Sequence, residues 1–321
     1  MSSSDRPIAP PRLRPGDTIG VCLPAGPIKP VSRDQLQRGL DRLSMFDLRL
    51  GPTLTAPRAS KLPSYLSAFD RERADELMAM IRDPDIRAIV LGRGGYGITR
   101  LLDLLDPSDL RRDPKPIVGF SDGTALLSWA YRAGVRGIHG PVAVQLGNLP
   151  ASDATRLVTM LTDPTPLGAQ PWHLTTQHSA HHTHRGHLVP ANLTVASMLV
   201  GTRWALPLDG AIALFEEVGE KPYELDRYLT QLELTKALHG VTAVVIGDLV
   251  RCTDPNPPTG EPDPIDAAAK TIAERMDRFE IPCAFGAPVG HGDRNEAAPF
   301  GVICELDIDA GTLAFLEGAV A

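Results

Sequence analysis

Residues 86–97 read Ile-Arg-Ala-Ile-Val-Leu-Gly-Arg-Gly-Gly-Tyr-Gly. The apolar run 86–91 is interrupted only by Arg87 and is too short for a buried helix. Ended by glycine, it reads as a buried strand running into a tight turn. Residues 116–123, Pro-Ile-Val-Gly-Phe-Ser-Asp-Gly, repeat the pattern: a short apolar strand, a glycine-framed turn, then a helix expected over 124–133. Upstream, 18–23 (TIGVCL) reads as another strand. A helix is expected over 32–45, where Leu36, Leu40, Leu43 and Met45 fall near helical spacing behind a capping Ser32. Further helices are expected over 71–81 and 98–105. Such alternation predicts an α/β fold with a parallel sheet covered on both faces.

Beyond residue 163 the composition shifts. Pro164, Pro166, Gly168 and Pro171 lead into a polar, histidine-rich run, read as a linker over 164–185 between an N-terminal domain, 1–163, and a C-terminal domain, 186–321. Past it, helices are expected over 192–200, 223–237 and 265–279, and strands over 211–215 and 241–246. A closing antiparallel hairpin is expected over 301–307 and 312–316. The chain has 321 residues with a net charge of −7. That balance argues against a nucleic-acid partner, which needs a basic face. Four scattered cysteines without C-x-x-C spacing predict neither a disulfide framework nor a zinc site. Residues 1–15 read as an irregular arm and not a signal peptide, and no apolar run approaches the ~20 residues that span a bilayer. A cytoplasmic location without membrane contact is therefore expected.

Two turns carry candidate chemistry. Gly119-Phe120-Ser121-Asp122-Gly123 is a G-x-S-x-G turn after a strand and before a helix. The small flanking residues let the chain reverse sharply and expose the Ser121 hydroxyl, with the Asp122 amide at the helix N-terminus able to face an oxyanion. A glycine-bounded turn with a capping serine is the plainer reading; the strand-before, helix-after context favours the nucleophile. Gly92–Gly97 matches G-x-G-x-x-G, with Asp122 near the place of the acidic residue that a dinucleotide site expects. Against this, the motif normally occupies the first strand-to-helix turn. The same glycines equally suit a loop that brings backbone amides to a substrate, or tight packing alone. Arg93 and Tyr96 on this loop are candidate substrate contacts.

A serine nucleophile needs a base, and the base needs a carboxylate. Of nine histidines, six lie between His173 and His187, at spacings that match no defined zinc pattern. His291, in Ala287-Pro288-Val289-Gly290-His291-Gly292, sits where a glycine- and proline-framed loop can turn a side chain toward a cleft. The strand expected over 211–215 ends in Glu216-Glu217, a place where parallel sheets build sites. Glu217, Glu220 and Glu224 also read as ordinary solvated acids.

Together the segments Gly92–Gly97, GFSDGT, FEEVGE with PYELDR, and Pro288-Val289-Gly290-His291 resemble the LD-carboxypeptidases of the S66 serine-peptidase family, in the right order over nearly the whole chain. The resemblance implies a Rossmann-like N-terminal domain with a parallel sheet and a smaller, β-rich mixed domain. It implies Ser121 as nucleophile, Glu216 as carboxylate, His291 as base, and the amides of Asp122 and Gly95 as oxyanion donors, the triad being completed between domains. It further implies a homodimer that needs no metal or cofactor and releases terminal D-alanine from cytoplasmic murein tetrapeptide during cell-wall recycling. A second branch of the family, the microcin-immunity peptidases, hydrolyses a peptidyl-nucleotide; the VGE-x-PY-x-x-DR run is more similar to the murein branch. Pro190-Ala191-Asn192 stands where family members often carry a Gly-Gly pair before the asparagine. Rival readings are a dinucleotide-binding oxidoreductase, an α/β-hydrolase and a non-catalytic two-domain binding protein.

Overall fold

The computed structural model describes residues 6–176, 183–258, 260–261 and 264–321. The chain divides into two units, one formed by residues 1–165, 296–301 and 318–321, the other by 166–295 and 302–317.

In the first unit, β1 (Thr18–Cys22), β2 (Asp47–Leu50), β3 (Ile86–Leu91), β4 (Ile117–Gly119) and β5 (Gly137–His139) form a parallel sheet in the order β5-β4-β3-β1-β2. A late strand, β12 (Ala298–Phe300), adds antiparallel to β5 at the edge. Ile19, Val21, Ala88, Ile89, Val90, Leu91, Val118 and Ile138 are buried, as expected of strands covered on both faces. The strand order reverses direction between β1 and β3. In open α/β sheets the crevice beyond such a switch point is where ligands bind. The chain beyond β3 is the turn Gly92–Gly97.

The expected helix over 98–105 is instead two single 3-10 turns, Ile98–Arg100 and Leu102–Leu104. Pro107 opens the next helix, Pro107–Arg112, and the extended Leu105 and Asp106 before it end any longer helix.

Among the described residues, the second unit holds an eight-stranded mixed sheet. Its strands are β6 (Gly168–Ala169), β7 (Thr175–Thr176), β8 (Thr183–Asn192), β9 (Ala211–Val218), β10 (Ala243–Val250), β11 (Cys283–Phe285), β13 (Ile303–Asp307) and β14 (Thr312–Phe315), in the order β6-β14-β13-β8-β9-β10-β11-β7. The central run β8-β9-β10-β11 is parallel. The expected closing hairpin is present as β13 and β14, paired antiparallel. The stretch 164–185, expected as a linker, supplies β6 and β7 to the two edges of this sheet, where unpaired backbone would otherwise stay open. β9 does not stop at Phe215 but continues through Glu216, Glu217 and Val218.

Candidate active site

Ser121 lies just beyond β4, at the C-terminal edge of the parallel sheet. It takes φ +59, a left-handed conformation that a non-glycine residue seldom adopts and that costs about 1–3 kcal/mol. The reversal is locked by its neighbours. The Gly123 N–H donates to Phe120 O and the Thr124 N–H to Ser121 O, each at 2.9 Å. The helix Gly123–Arg132 then leads away, with Gly123 to Tyr131 buried. Gly94 presses against this turn: a side chain there would sit 3.2 Å from Ser121 Cβ and 3.4 Å from its Oγ. Among the described residues no hydrogen bond uses the Asp122 or the Gly95 N–H. Both are thus unspent donors, one beside Ser121 and one on the glycine-rich turn.

Two buried side chains hold that turn. The Asp122 carboxylate accepts the Ile98 N–H at 2.9 Å. Burial pushes its pKa up to about 6, against the opposing amides of Ile98 and Gly97 and the charge of Arg73. Arg73, its side chain fully enclosed, bonds Gly97 O at 3.0 Å, Ala68 O at 3.1 Å and Pro24 O, and pairs with Asp70. One guanidinium therefore ties the exits of β1 and β3 together. Gly97 at φ +133 leaves the room: a Cβ there would lie 2.6 Å from Arg73 Nη1. Arg93 is half-buried and donates to Pro27 O at 2.7 Å. No carboxylate pairs with it among the described residues, and burial lowers its pKa. Tyr96, exposed three residues further along the turn, faces the Tyr65 ring at 5.8 Å.

The second unit carries the other two triad candidates. Glu216, 0% exposed, accepts a hydrogen bond from His291 Nδ1 at 2.6 Å. A carboxylate only accepts, so Nδ1 carries the proton and Nε2 is left as the basic atom. Oε1 of Glu216 is buried with no partner among the described residues. Burial pulls the His291 pKa down, but the Glu216 hydrogen bond and the charges of Glu216, Glu217 and Asp248 outweigh it, so the ring ends raised.

Alternation along β9 gives Glu217 a different environment, and the solvated-acid reading of it fails. Only 2% exposed, it accepts from Asn192 Nδ2 at 2.9 Å, Thr194 N at 2.8 Å, Thr194 Oγ1 at 2.7 Å and Val218 N at 2.9 Å. Asn192 in turn caps the helix Leu193–Leu199 through Val195 N. Glu217 is thus a fully bonded strut between β8, β9 and that helix. Glu224 keeps a local role, its Oε2 accepting from Lys221 N at the head of the helix Pro222–Leu234. Glu220 accepts from Tyr228 Oη at 2.8 Å.

Of the histidine cluster, His184 and His187 lie on β8, and His187 Nε2 donates to Pro207 O at 2.7 Å. His178, His181 and His182 fall outside the described residues. Among those described, no three His, Cys, Asp or Glu side chains are grouped to hold a metal, and no helix is long and apolar enough to cross a membrane. Sequence reasoning missed Arg73 and Asp248. A charged residue in a helix or near the end of an apolar strand carries no local sign of which distant backbone it will bond.

Comparison with known proteins bears on both units. The LD-carboxypeptidase N-terminal domain model matches residues 19–140, and the C-terminal domain model of the same family matches 185–306. The murein tetrapeptide carboxypeptidase of Pseudomonas aeruginosa is 31% identical over 291 residues, covering 88% of this chain and 91% of that protein. The crystal structure of muramoyltetrapeptide carboxypeptidase from Oxalobacter formigenes superposes with a TM-score of 0.77 at 25% identity, covering 94% of this chain and 98% of that one. MccF, the microcin C7 self-immunity protein of Escherichia coli, solved in complex with glutamyl sulfamoyl guanosine, shares the fold at a TM-score of 0.85 and 22% identity, with 98% and 100% coverage.

Proposed function

The chain belongs to the LD-carboxypeptidase family, and from that premise we propose that this serine-type hydrolase cuts the L,D-peptide bond releasing terminal D-alanine from murein tetrapeptide. The observation that carries the reading is Glu216. It is a fully buried carboxylate whose one hydrogen bond among the described residues goes to His291 Nδ1. Such a pair fixes the imidazole tautomer and stabilises the imidazolium that forms when Nε2 takes a proton. The strained Ser121 supplies the hydroxyl. It attacks the carbonyl carbon while its proton passes to His291 Nε2. The negative oxygen of the tetrahedral intermediate is received by the Asp122 and Gly95 amides. Collapse breaks the C–N bond, and the proton on His291 goes to the leaving D-alanine amine. Water, deprotonated by the same nitrogen, then resolves the ester. Arg93 suits the terminal carboxylate of the substrate, and Tyr96 lines its approach. The working compartment under this reading is the cytoplasm, the role murein recycling, and the assembly a homodimer, for which light scattering at twice the chain mass is the check.

The test is mass spectrometry of murein tetrapeptide incubated with wild type and with Ser121→Ala. Loss of one D-alanine with wild type alone is the expected outcome. An unchanged tetrapeptide with wild type overturns this substrate, and a peptidyl-nucleotide is then the substrate to try.

A further inference from the structure

His291 is held by more than Glu216. Its loop is gripped from both sides by Asp248, on β10 within the stretch where pairing with β9 slips between Ile246 and Leu249. The Asp248 main-chain N–H donates to Val289 O at 2.9 Å, two residues before the histidine. Its Oδ2 accepts the Gly292 N–H at 2.9 Å, one residue after it. Between these points, Gly290 donates to Asn295 Oδ1 at 3.0 Å and takes φ +138. A Cβ on Gly290 would lie 3.0 Å from Asp248 Cβ, Glu216 Cβ and Glu216 Oε2 alike. The loop is therefore pressed directly onto both acids. The slip in register matters because a regular β10 would alternate its side chains in step with β9, whereas an irregular one re-aims a side chain at the strand end.

We propose that Asp248 is the positioning residue of the base: its main chain and carboxylate clamp the Gly290-His291-Gly292 turn from both ends, and its charge is a second counter-ion for the imidazolium. The inference rests on His291 acting as the base. Glu216 bonds His291 from β9, the charges of Glu217 on the opposite face of that strand and of Asp248 on β10 act on the ring, and Asp293 and Arg294 follow on its own loop. Burial raises the Asp248 carboxyl, while the Gly292 amide and the charge of His291 favour its ionised form. Two effects are separable by substitution. Asp248→Asn keeps an acceptor for Gly292 and removes the charge; Asp248→Ala removes both.

The experiment follows the His291 ring directly in full-length protein labelled with 15N-histidine, its signal assigned by His291→Gln. In parallel it measures the rate at which a fluorophosphonate labels Ser121 from pH 5 to 9. Removing a nearby negative charge makes the imidazolium less favourable, so in Asp248→Asn the ring midpoint and the acid limb of labelling should both move down by about 0.5–1 unit. The high-pH plateau should stay within about threefold of wild type. In Asp248→Ala the plateau should also fall by roughly tenfold or more, because a misplaced base loses reactivity steeply. An unmoved midpoint in Asp248→Asn overturns the inference, and does so even if Asp248→Ala does not fold. An undiminished plateau in a folded Asp248→Ala overturns the clamp. Absence of labelling in wild type would sink the hydrolase reading instead, while the ring titration still judges Asp248.

Discussion

Ser121 accepts a backbone conformation that glycine would adopt without cost, and that exchange can be measured. Replacing it by glycine removes the positive-φ penalty; replacing it by alanine keeps the penalty and removes the hydroxyl. Ser121→Gly should therefore be about 1 kcal/mol more stable than Ser121→Ala in denaturant unfolding, with both variants inactive. Equal stabilities would mean that the turn relaxes in solution. The Glu216–His291 pair shows the same trade of stability for chemistry. A buried carboxylate with one oxygen unpartnered is costly, and the histidine proton is its compensation. Because the Glu216 hydrogen bond and the neighbouring negative charges raise the His291 pKa, the neutral ring that the proposed mechanism needs forms at higher pH than in an ordinary histidine.

Elements meet at the C-terminal edge of the first sheet, where Asp122 links the helix Gly123–Arg132 to the glycine-rich turn. Burial raises its carboxyl from the ordinary aspartate value of 3.8 to about 6, so between these values the folded protein binds the proton more tightly than the unfolded chain. Stability then falls as pH rises through that window. This is opposite to the usual contribution of a paired carboxylate. Asp122→Asn, which cannot ionise, should flatten that part of the stability profile; an unchanged slope from pH 4 to 6.5 would assign it to other groups. At the matching end of β9, Glu217 is also buried, and burial raises its carboxyl although four accepted hydrogen bonds partly offset it. Neighbouring glutamates on one strand thus do different work because successive side chains face opposite ways.

At the scale of the whole molecule, the chain leaves its first unit after residue 165 and returns to it twice. The second return is short and well bonded. Ala321 N–H donates to Pro10 O, and its carbonyl accepts from Arg12 N–H, each at 2.8 Å. Arg136 Nη1 donates to Gly318 O at 3.0 Å, and Ala319 and Val320 are buried. Deleting residues 318–321 should cost about 2–4 kcal/mol from the lost valine burial and hydrogen bonds together. Thermal unfolding followed by calorimetry checks this, and a midpoint within 1 °C of the full chain would show that the segment contributes nothing.

Much of this protein was legible from local pattern. Apolar runs such as 86–91 announce strands because burial on both faces leaves little place for polar residues, and glycines announce the turns where backbone must reverse. Ser121 and His291 stand out for the same reason, each framed by residues that only a sharp loop needs. What tertiary structure alone decided are the choices between equivalent candidates and the weakly patterned edges. β2, β6, β7 and β12 have two to four residues each and exist because a neighbouring strand offers them hydrogen bonds. Glu216 and Glu217 are the same residue type side by side, and only the register of β9 determines which meets a histidine 75 positions away. Asp248 looks like an ordinary charge ending an apolar strand until β10 slips against β9 and turns it onto the histidine loop. Local signals act over a turn or two of chain, whereas these contacts depend on how distant strands pair, which no short window of sequence contains.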